Sequence, residues 1–523
     1  MHTSELAISL PLIPANSGIH GDIAIGLVLY GCLMLGMSLF WMRRVKLASD
    51  YLVAGRGLSY VILTGTITAG CIGTGVVIGA TGLAYQHGWA GCAYPIGLGL
   101  GTVLTGWFFA GSRRFRFMTL SEEIVCYYGG DRAIGAFCNV SLFLSQLCWL
   151  TVQIMGSSRV VGTVTGWSPQ ACVVLAGFII ALITIPGGYR TVVYTDFLNS
   201  MLLLSGFGLL WHSALAQAGG FAGLRQSVPP DYFSFLGYAS FGGLKLASLI
   251  LVLVLSDVAD PGRRLAIYSA RNETVAKWSM VTAGSLVMIF SVIIGIIGMY
   301  AWQMNPGLTT PDQALPWLII HVFPGWLAAI VVVSVTAAII SCANGNATAV
   351  GSFFVRHIYP LATGRYPGRP VPVARRALVC ALIVSTTIAL HTSSIVDFVV
   401  KFLPVTMSGL AVIILMGRFW KRANGPGALA ALITTPAVSL VVIFNPALAT
   451  FWGYPAIPAV CAGVLAQLVV SSLTPRNEIG FAETARAMSR ERESIEGKSA
   501  DQSFTAPVSH LSGANGQAVY PTV

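Results

Sequence analysis

A hydrophobic stretch at residues 65 to 82 reads GTITAGCIGTGVVIGATG, and its glycines at 65, 70, 73, 75, 79 and 82 erode the preference for one continuous helix. A helix broken in mid-course frees peptide carbonyls, which in an apolar surrounding must be satisfied by a neighbour or by a bound cation. The same glycines also allow close helix packing, and the stretch alone leaves both readings open. A second interrupted run is opened by Gly242 and Gly243 and closed by Ser256, Asp257, Asp260 and Pro261. A third, from Val331 to Pro360, is dense in small and hydroxylated residues, with Ala338, Ser341 and Cys342 on adjacent turns of one face. A carbonyl and a hydroxyl turned toward a broken helix offer the oxygen ligands that hard cations take, although small residues serve plain packing equally well.

A further face carries Gln146, Trp149 and Gln153, spaced three and four residues apart on one helix, where ring and amide contacts could meet a small solute. An inter-helix hydrogen bond is the plainer use of either glutamine. Ionisable groups inside apolar runs are costly and count as functional candidates, which singles out Lys245, Asp257, Asp397 and Lys401. Asp397 and Lys401 stand i, i+4 and are expected to pair with each other. Lys245, toward the outer end of its run, either attracts an anionic solute or snorkels to the interface. No nucleophile and base pair, metal cluster or phosphate loop stands at workable spacing, so an enzyme is not expected; a channel is disfavoured because no filter-like repeat occurs.

The elements that must hold these residues are membrane spans. Of 523 residues, 55% are hydrophobic and only 9% charged, with a mean hydropathy of +0.76, a balance that belongs in lipid. Spans of about 20 apolar residues are placed near 23–42, 57–82, 90–110, 134–158, 168–186, 197–215, 237–257, 278–302, 322–352, 377–393, 395–417, 426–444 and 453–473. The first twenty residues lack the basic start and long apolar core of a cleavable signal. The net charge of +11 does not point to nucleic acid, because 26 of the 30 Lys and Arg fall in segments after alternate spans. The positive-inside rule then puts the N-terminus outside and the C-terminus in the cytoplasm of a plasma (inner) membrane protein. Ten cysteines without paired spacing indicate neither a disulfide framework nor a zinc site. Residues 474–523, polar and rich in Ser, Glu, Arg and Gly, are expected to form a disordered tail.

The two interrupted spans lie five helices apart, the repeat length of an inverted five-plus-five architecture with broken helices at its centre. At this point SDYLVAGRGLS (49–59), RRFRFMTLSEEIVCYYGG (113–130), GGYRTVVYTDFLNS (187–200) and GRFWKRANGPGALAA (417–431) come into account. Taken in order, these segments make the chain resemble the sodium:solute symporters from about Ala48 to Leu473. The resemblance implies an all-α polytopic membrane protein with a LeuT-like inverted repeat preceded by one extra helix. Its parts would be residues 1–56, a first repeat at 57–215, a second at 216–417, two additional helices at 418–473 and the tail.

The resemblance also implies site residues. Sodium would be held by Ala69 and Ile72 of the broken helix and by Ala338, Ser341 and Cys342, with Asp196 assisting its release and Trp149 in the solute pocket. Cys342 departs from the Ser or Thr usual there, and a thiol is a poor sodium ligand. Cys71 replaces a polar residue of the family, so proton coupling or weak coupling stays open beside sodium. Asp196 equally suits a cap on the span that begins at Phe197. The solute site is expected between the broken helices, with Gln146, Gln153, Lys245, Ser256, Asp257 and Lys401 as further candidates. The expected function is cation-coupled symport of a small carboxylate or amino acid, without cofactor or required oligomer; a symporter-like sensor module is the alternative.

Overall fold

The computed structural model describes residues 19–42, 56–184, 189–365, 367, 370–475 and 480–488. Residues 1–18, most of the basic segment 43–55, Gly187 and Gly188 of one motif, and the tail from residue 489 lie outside the described residues.

Among the described residues the regular elements are helices, joined by one isolated backbone bridge between Leu58 and Ala270. Each expected span coincides with a helix or, at 57–82 and 395–417, with two helices joined through a break or a π-type turn. We label them α1 (Ile19–Met42), α2 (Tyr60–Cys71), α3 (Thr81–His87), α4 (Ala93–Phe109), α5 (Leu120–Tyr127), α6 (Arg132–Thr165), α7 (Pro169–Thr184) and α8 (Tyr189–Gln217). The second half holds α9 (Gly243–Val258), α10 (Pro261–Ser269), α11 (Glu273–Met304), α12 (Ala314–His321), α13 (Gly325–Phe353) and α14 (Pro370–Leu390). It continues with α15 (Ile395–Leu403), α16 (Gly409–Phe419), α17 (Gly425–Phe444) and α18 (Ala456–Leu473). Nine helical stretches among the described residues are long and apolar enough to cross a membrane, one of which, residues 75–115, runs through α3 and α4.

Local chemistry sets the ends. Asp131 accepts from the amides of Ala133 and Ile134 at the start of α6, Asn272 from Val275 at α11, and Asn424 from Gly427 at α17, each satisfying amides that a helix start leaves without partners. The core forms where α11 lies along α4, α13 against α6 and α8, and α17 against α18, with α1 covering α13.

Both expected interruptions are present. α2 stops at Cys71, and the chain resumes through a π-type turn at Gly75–Ala80 into α3. α9 stops at Val258, and Asp260 with Pro261 starts α10, a sequence that ends one helix and caps the next. Residues 395–417 also contain a π-type turn, over Pro404–Ser408, where the proline lacks the amide a regular turn requires.

The tail departs from expectation. Residues 481–488 form a short helix, α19, whose Phe481 ring stacks on Tyr127 at 4.6 Å and whose Ala485 and Met488 are buried. The polar composition of the last fifty residues masked this one amphipathic turn, whose apolar side is covered by α5 and the residues before it. Arg263 and Arg264, counted among the basic residues between two spans, do lie there, on α10, but both are buried.

Candidate functional site

The break after α2 supplies the backbone groups. The last helical rung runs from the Ile72 amide to the Thr68 carbonyl, and the next runs from Val76 and Val77 to Gly73, so the carbonyls of Ala69 to Ile72 lie between two ladders. α13 approaches this gap directly. The Cys342 thiol donates to the carbonyl of Ala69 at 3.4 Å and sits 3.5 Å from that of Gly70. Gly73 permits the approach, since a Cβ there would lie 2.6 Å from the Cys342 sulfur.

Ala69, Ile72, Ala338, Ser341 and Cys342 are all buried. The Ser341 hydroxyl donates to Oδ1 of Asp196 at 2.6 Å, which brings the buried carboxylate of α8 to the same place. This contact, not a helix cap, is what Asp196 does, because α8 begins seven residues earlier at Tyr189. The group therefore combines peptide oxygens outside the helical ladders, a hydroxyl and a carboxylate within a buried setting, a ligand set suited to a small hard cation.

On α6, Gln153 accepts through Oε1 from both the amide (3.2 Å) and the hydroxyl (2.8 Å) of Thr74. A backbone N–H can only donate, so the Oε1 end of Gln153 must face Thr74 and its amide NH2 is turned toward Gly73, where a Cβ would stand 3.3 Å away. Gln146 is buried, and its Nε2 has no hydrogen-bond partner; the same is true of the Trp149 Nε1. The face read from sequence is thus a row of donors.

Asp257 is buried, with Oδ1 accepting from Arg263 Nε at 2.8 Å and Oδ2 from the Thr102 hydroxyl at 2.8 Å. Ser256 donates to the Leu253 carbonyl of its own helix. Asp260 caps α10 through the Arg263 amide. Cys71 lies 3.4 Å from the Thr102 hydroxyl. Lys245 and Lys401 are not brought into this group: both are exposed, neither bonds to it, and the Lys245 stem lies against Gly453. Asp397 and Lys401 form no ion pair, a correction to the i, i+4 expectation; Asp397 instead receives the Ser394 cap through its amide, and both side chains face outward where solvation competes with pairing.

Arg263 and Thr102 were not foreseen. Asp257 and Arg263 are six residues apart, a spacing that faces nothing on an uninterrupted helix, and only the turn between α9 and α10 brings them together.

The profile of the sodium:solute symporter family matches residues 51–435. The chain belongs to the sodium:solute symporter family. It is 24% identical over 465 residues to the sodium/pantothenate symporter of Escherichia coli (strain K12), covering 86% of this chain and 96% of that one. It is 23% identical to the human sodium/myo-inositol cotransporter, covering 78% of this chain and 64% of the other. Among solved structures, a Na+-coupled sialic acid symporter in a substrate-bound outward-open state superimposes with a TM-score of 0.74 at 19% identity, over 87% of this chain and 98% of that one. The nucleobase-cation-symport-1 family transporter Mhp1 follows at 0.54 and 16%, over 82% and 97%. The symporter is therefore an integral multi-pass membrane protein with a LeuT-like fold, and its family couples small solutes to sodium.

Proposed function

We propose that this symporter carries a small carboxylate, free or as part of an amino acid, into the cell with sodium. Sodium would bind the carbonyls of Ala69, Ile72 and Ala338 and the Ser341 hydroxyl, with Asp196 supplying the compensating charge and a way out toward the cytoplasm. The observation that carries the solute class is the donor row on α6. Gln146 Nε2 and Trp149 Nε1 are buried without acceptors, and the Gln153 oxygen is already taken by Thr74. Buried donors of this kind call for an acceptor-rich partner such as a carboxylate. The orientation with the N-terminus outside and the tail inside a plasma membrane follows the distribution of Lys and Arg.

Proton coupling is the second reading, favoured by Cys342, whose sulfur faces the two carbonyls where a hydroxyl would suit sodium better. Uptake into proteoliposomes, scanned over labelled small carboxylates and amino acids under an imposed sodium or proton gradient, separates the two. Trp149→Ala and Gln146→Leu are expected to raise the solute KM tenfold or more while leaving the sodium requirement in place. A KM unchanged in both variants ends the assignment of this face to the solute.

A further inference from the structure

The site contains a fixed cation that family resemblance did not supply. α9 ends at Val258, Asp260 and Pro261 turn the chain, and Arg263 in the first turn of α10 swings back onto Asp257 at 2.8 Å. Both side chains are almost wholly enclosed, at 11% and 1% exposure. The guanidinium does not stop at Asp257. Its NH2 group donates to the Gly70 carbonyl at 3.0 Å, inside the break that follows α2. That carbonyl is the one standing 3.5 Å from the Cys342 sulfur, and the neighbouring Ala69 carbonyl, assigned above to sodium, is 3.4 Å from it. Arginine and the ion site therefore draw on consecutive carbonyls of one short segment.

A guanidinium keeps its charge under all conditions a protein meets. Carbonyls one residue apart follow the 3.8 Å step of the backbone, so an ion on Ala69 lies on the order of 5–8 Å from the charge on Arg263. At an effective dielectric near 20, two unit charges at that distance repel enough to change an affinity by at least about tenfold. Asp257 offsets part of this, but it is bound to Arg263 and Thr102 on both oxygens; Asp260 is occupied at the start of α10, and Asp196 lies across the gap on Ser341.

We propose that Arg263 is a tethered competitor of the coupling ion: its guanidinium holds the Gly70 carbonyl when the ion site is empty, latching α10 to α2, and yields as sodium binds. The claim rests on the ion lying between the α2 break and α13. Arg263 acts here as a positioning residue, keeping sodium affinity low enough for release and linking ion arrival to the separation of the two broken helices.

The test uses the purified full-length symporter, with sodium exchanged for choline at constant ionic strength and the melting temperature as the readout, since an ion that binds the folded state stabilises it by mass action. Arg263→Gln is expected to move the sodium midpoint at least tenfold lower than wild type, and Ser341→Ala placed in the same background to flatten the response. Arg263→Lys, which retains the charge but not the fork that spans Asp257 and Gly70, is expected to shift the midpoint in the same direction by a smaller factor; this variant carries the test should the glutamine variant not fold. Equal midpoints in wild type and both variants overturn the proposal and leave the ion site standing. No sodium response in any of the folded proteins removes the ion site and the proposal together. A response in Arg263→Gln that persists after Ser341→Ala places the ion on Asp257 instead and overturns it. A raised solute KM with an unmoved sodium midpoint makes Arg263 a solute ligand and overturns it as well.

Discussion

Cys342 sets the first test at the scale of single residues. Its sulfur stands at the two carbonyls of the break, where sodium takes oxygen far more readily than a protonated thiol. Cys342→Ser places a hydroxyl at the same branch of α13 beside Ser341, and its expected effect is a sodium activation midpoint about tenfold lower in gradient-driven uptake. Linkage requires solute affinity to rise in step at fixed sodium. An unchanged midpoint would mean that the other ligands already complete the site. Among the proposed ligands, Ala69 and Ile72 came from the family resemblance, whereas Ala338, Ser341 and Cys342 were legible because small and hydroxylated types cluster on one face of residues 331–360. Their mutual contacts were not. The 2.6 Å bond between Ser341 and Asp196 joins residues 145 positions apart, and the Asp257–Arg263 pair depends on a turn whose angle no periodicity encodes. Lys245 and Lys401 show the converse failure: an ionisable type within an apolar run marks cost, but the side chain resolves that cost by facing outward.

Helices pose a different question, namely what fixes a broken element at its ends. Of the six glycines of residues 65–82, Gly70 turns its carbonyl into the break and Gly73 lies between the two helical segments. Gly82, by contrast, packs where a Cβ would meet the backbone of Pro311 at 2.8 Å, so the two readings left open by the sequence are both true at different positions. The segment that Gly82 admits also closes another helix: Asp312, next along, accepts at 3.0 Å from the Ile395 amide in the first turn of α15 and is only 5% exposed. Burial is the chief cause that pushes the Asp312 carboxyl up to about 6, with Asp397 adding to it; the Ile395 hydrogen bond and Arg159 act the other way without cancelling it. A carboxyl raised in the folded state favours folding below its unfolded value near 4, and the contribution is lost as pH climbs through about 6. Asp312→Asn retains the acceptor for Ile395 and discards the charge. It is expected to match wild type below pH 4 and to exceed it above pH 6 by on the order of 2–3 kcal/mol, read as melting temperature across a pH series. A wild-type advantage at pH 7 would show that the ionised form, not the hydrogen bond alone, holds α15.

At the scale of the whole molecule, α10 is fastened on two sides by adjacent arginines. Arg263 reaches the Gly70 carbonyl at the break after α2, while Arg264, fully buried, pairs with Glu123 of α5 at 3.3 Å and lies 3.7 Å over the Phe109 ring. Glu123 also accepts from Ser112, Tyr127 and Tyr268, so one carboxylate gathers α5, α10 and the end of α4, and through Tyr127 the ring of Phe481 in α19. These contacts tie α10 to α5 and α19, so that any displacement of α10 would have to break them or carry its neighbours along. A buried pair of this kind is worth little against an apolar replacement of both partners, yet losing one partner strands the other charge. Glu123→Gln is therefore expected to destabilise the symporter by about 3–5 kcal/mol, seen as a large fall in melting temperature, whereas adding Arg264→Met to it should recover most of the loss. If the double variant is also impaired in uptake while its stability is restored, the pair serves transport itself; if uptake returns with stability, the cluster only holds α5, α10 and α19 together, and the proposed latch at Gly70 is left as the contact for the ion to displace.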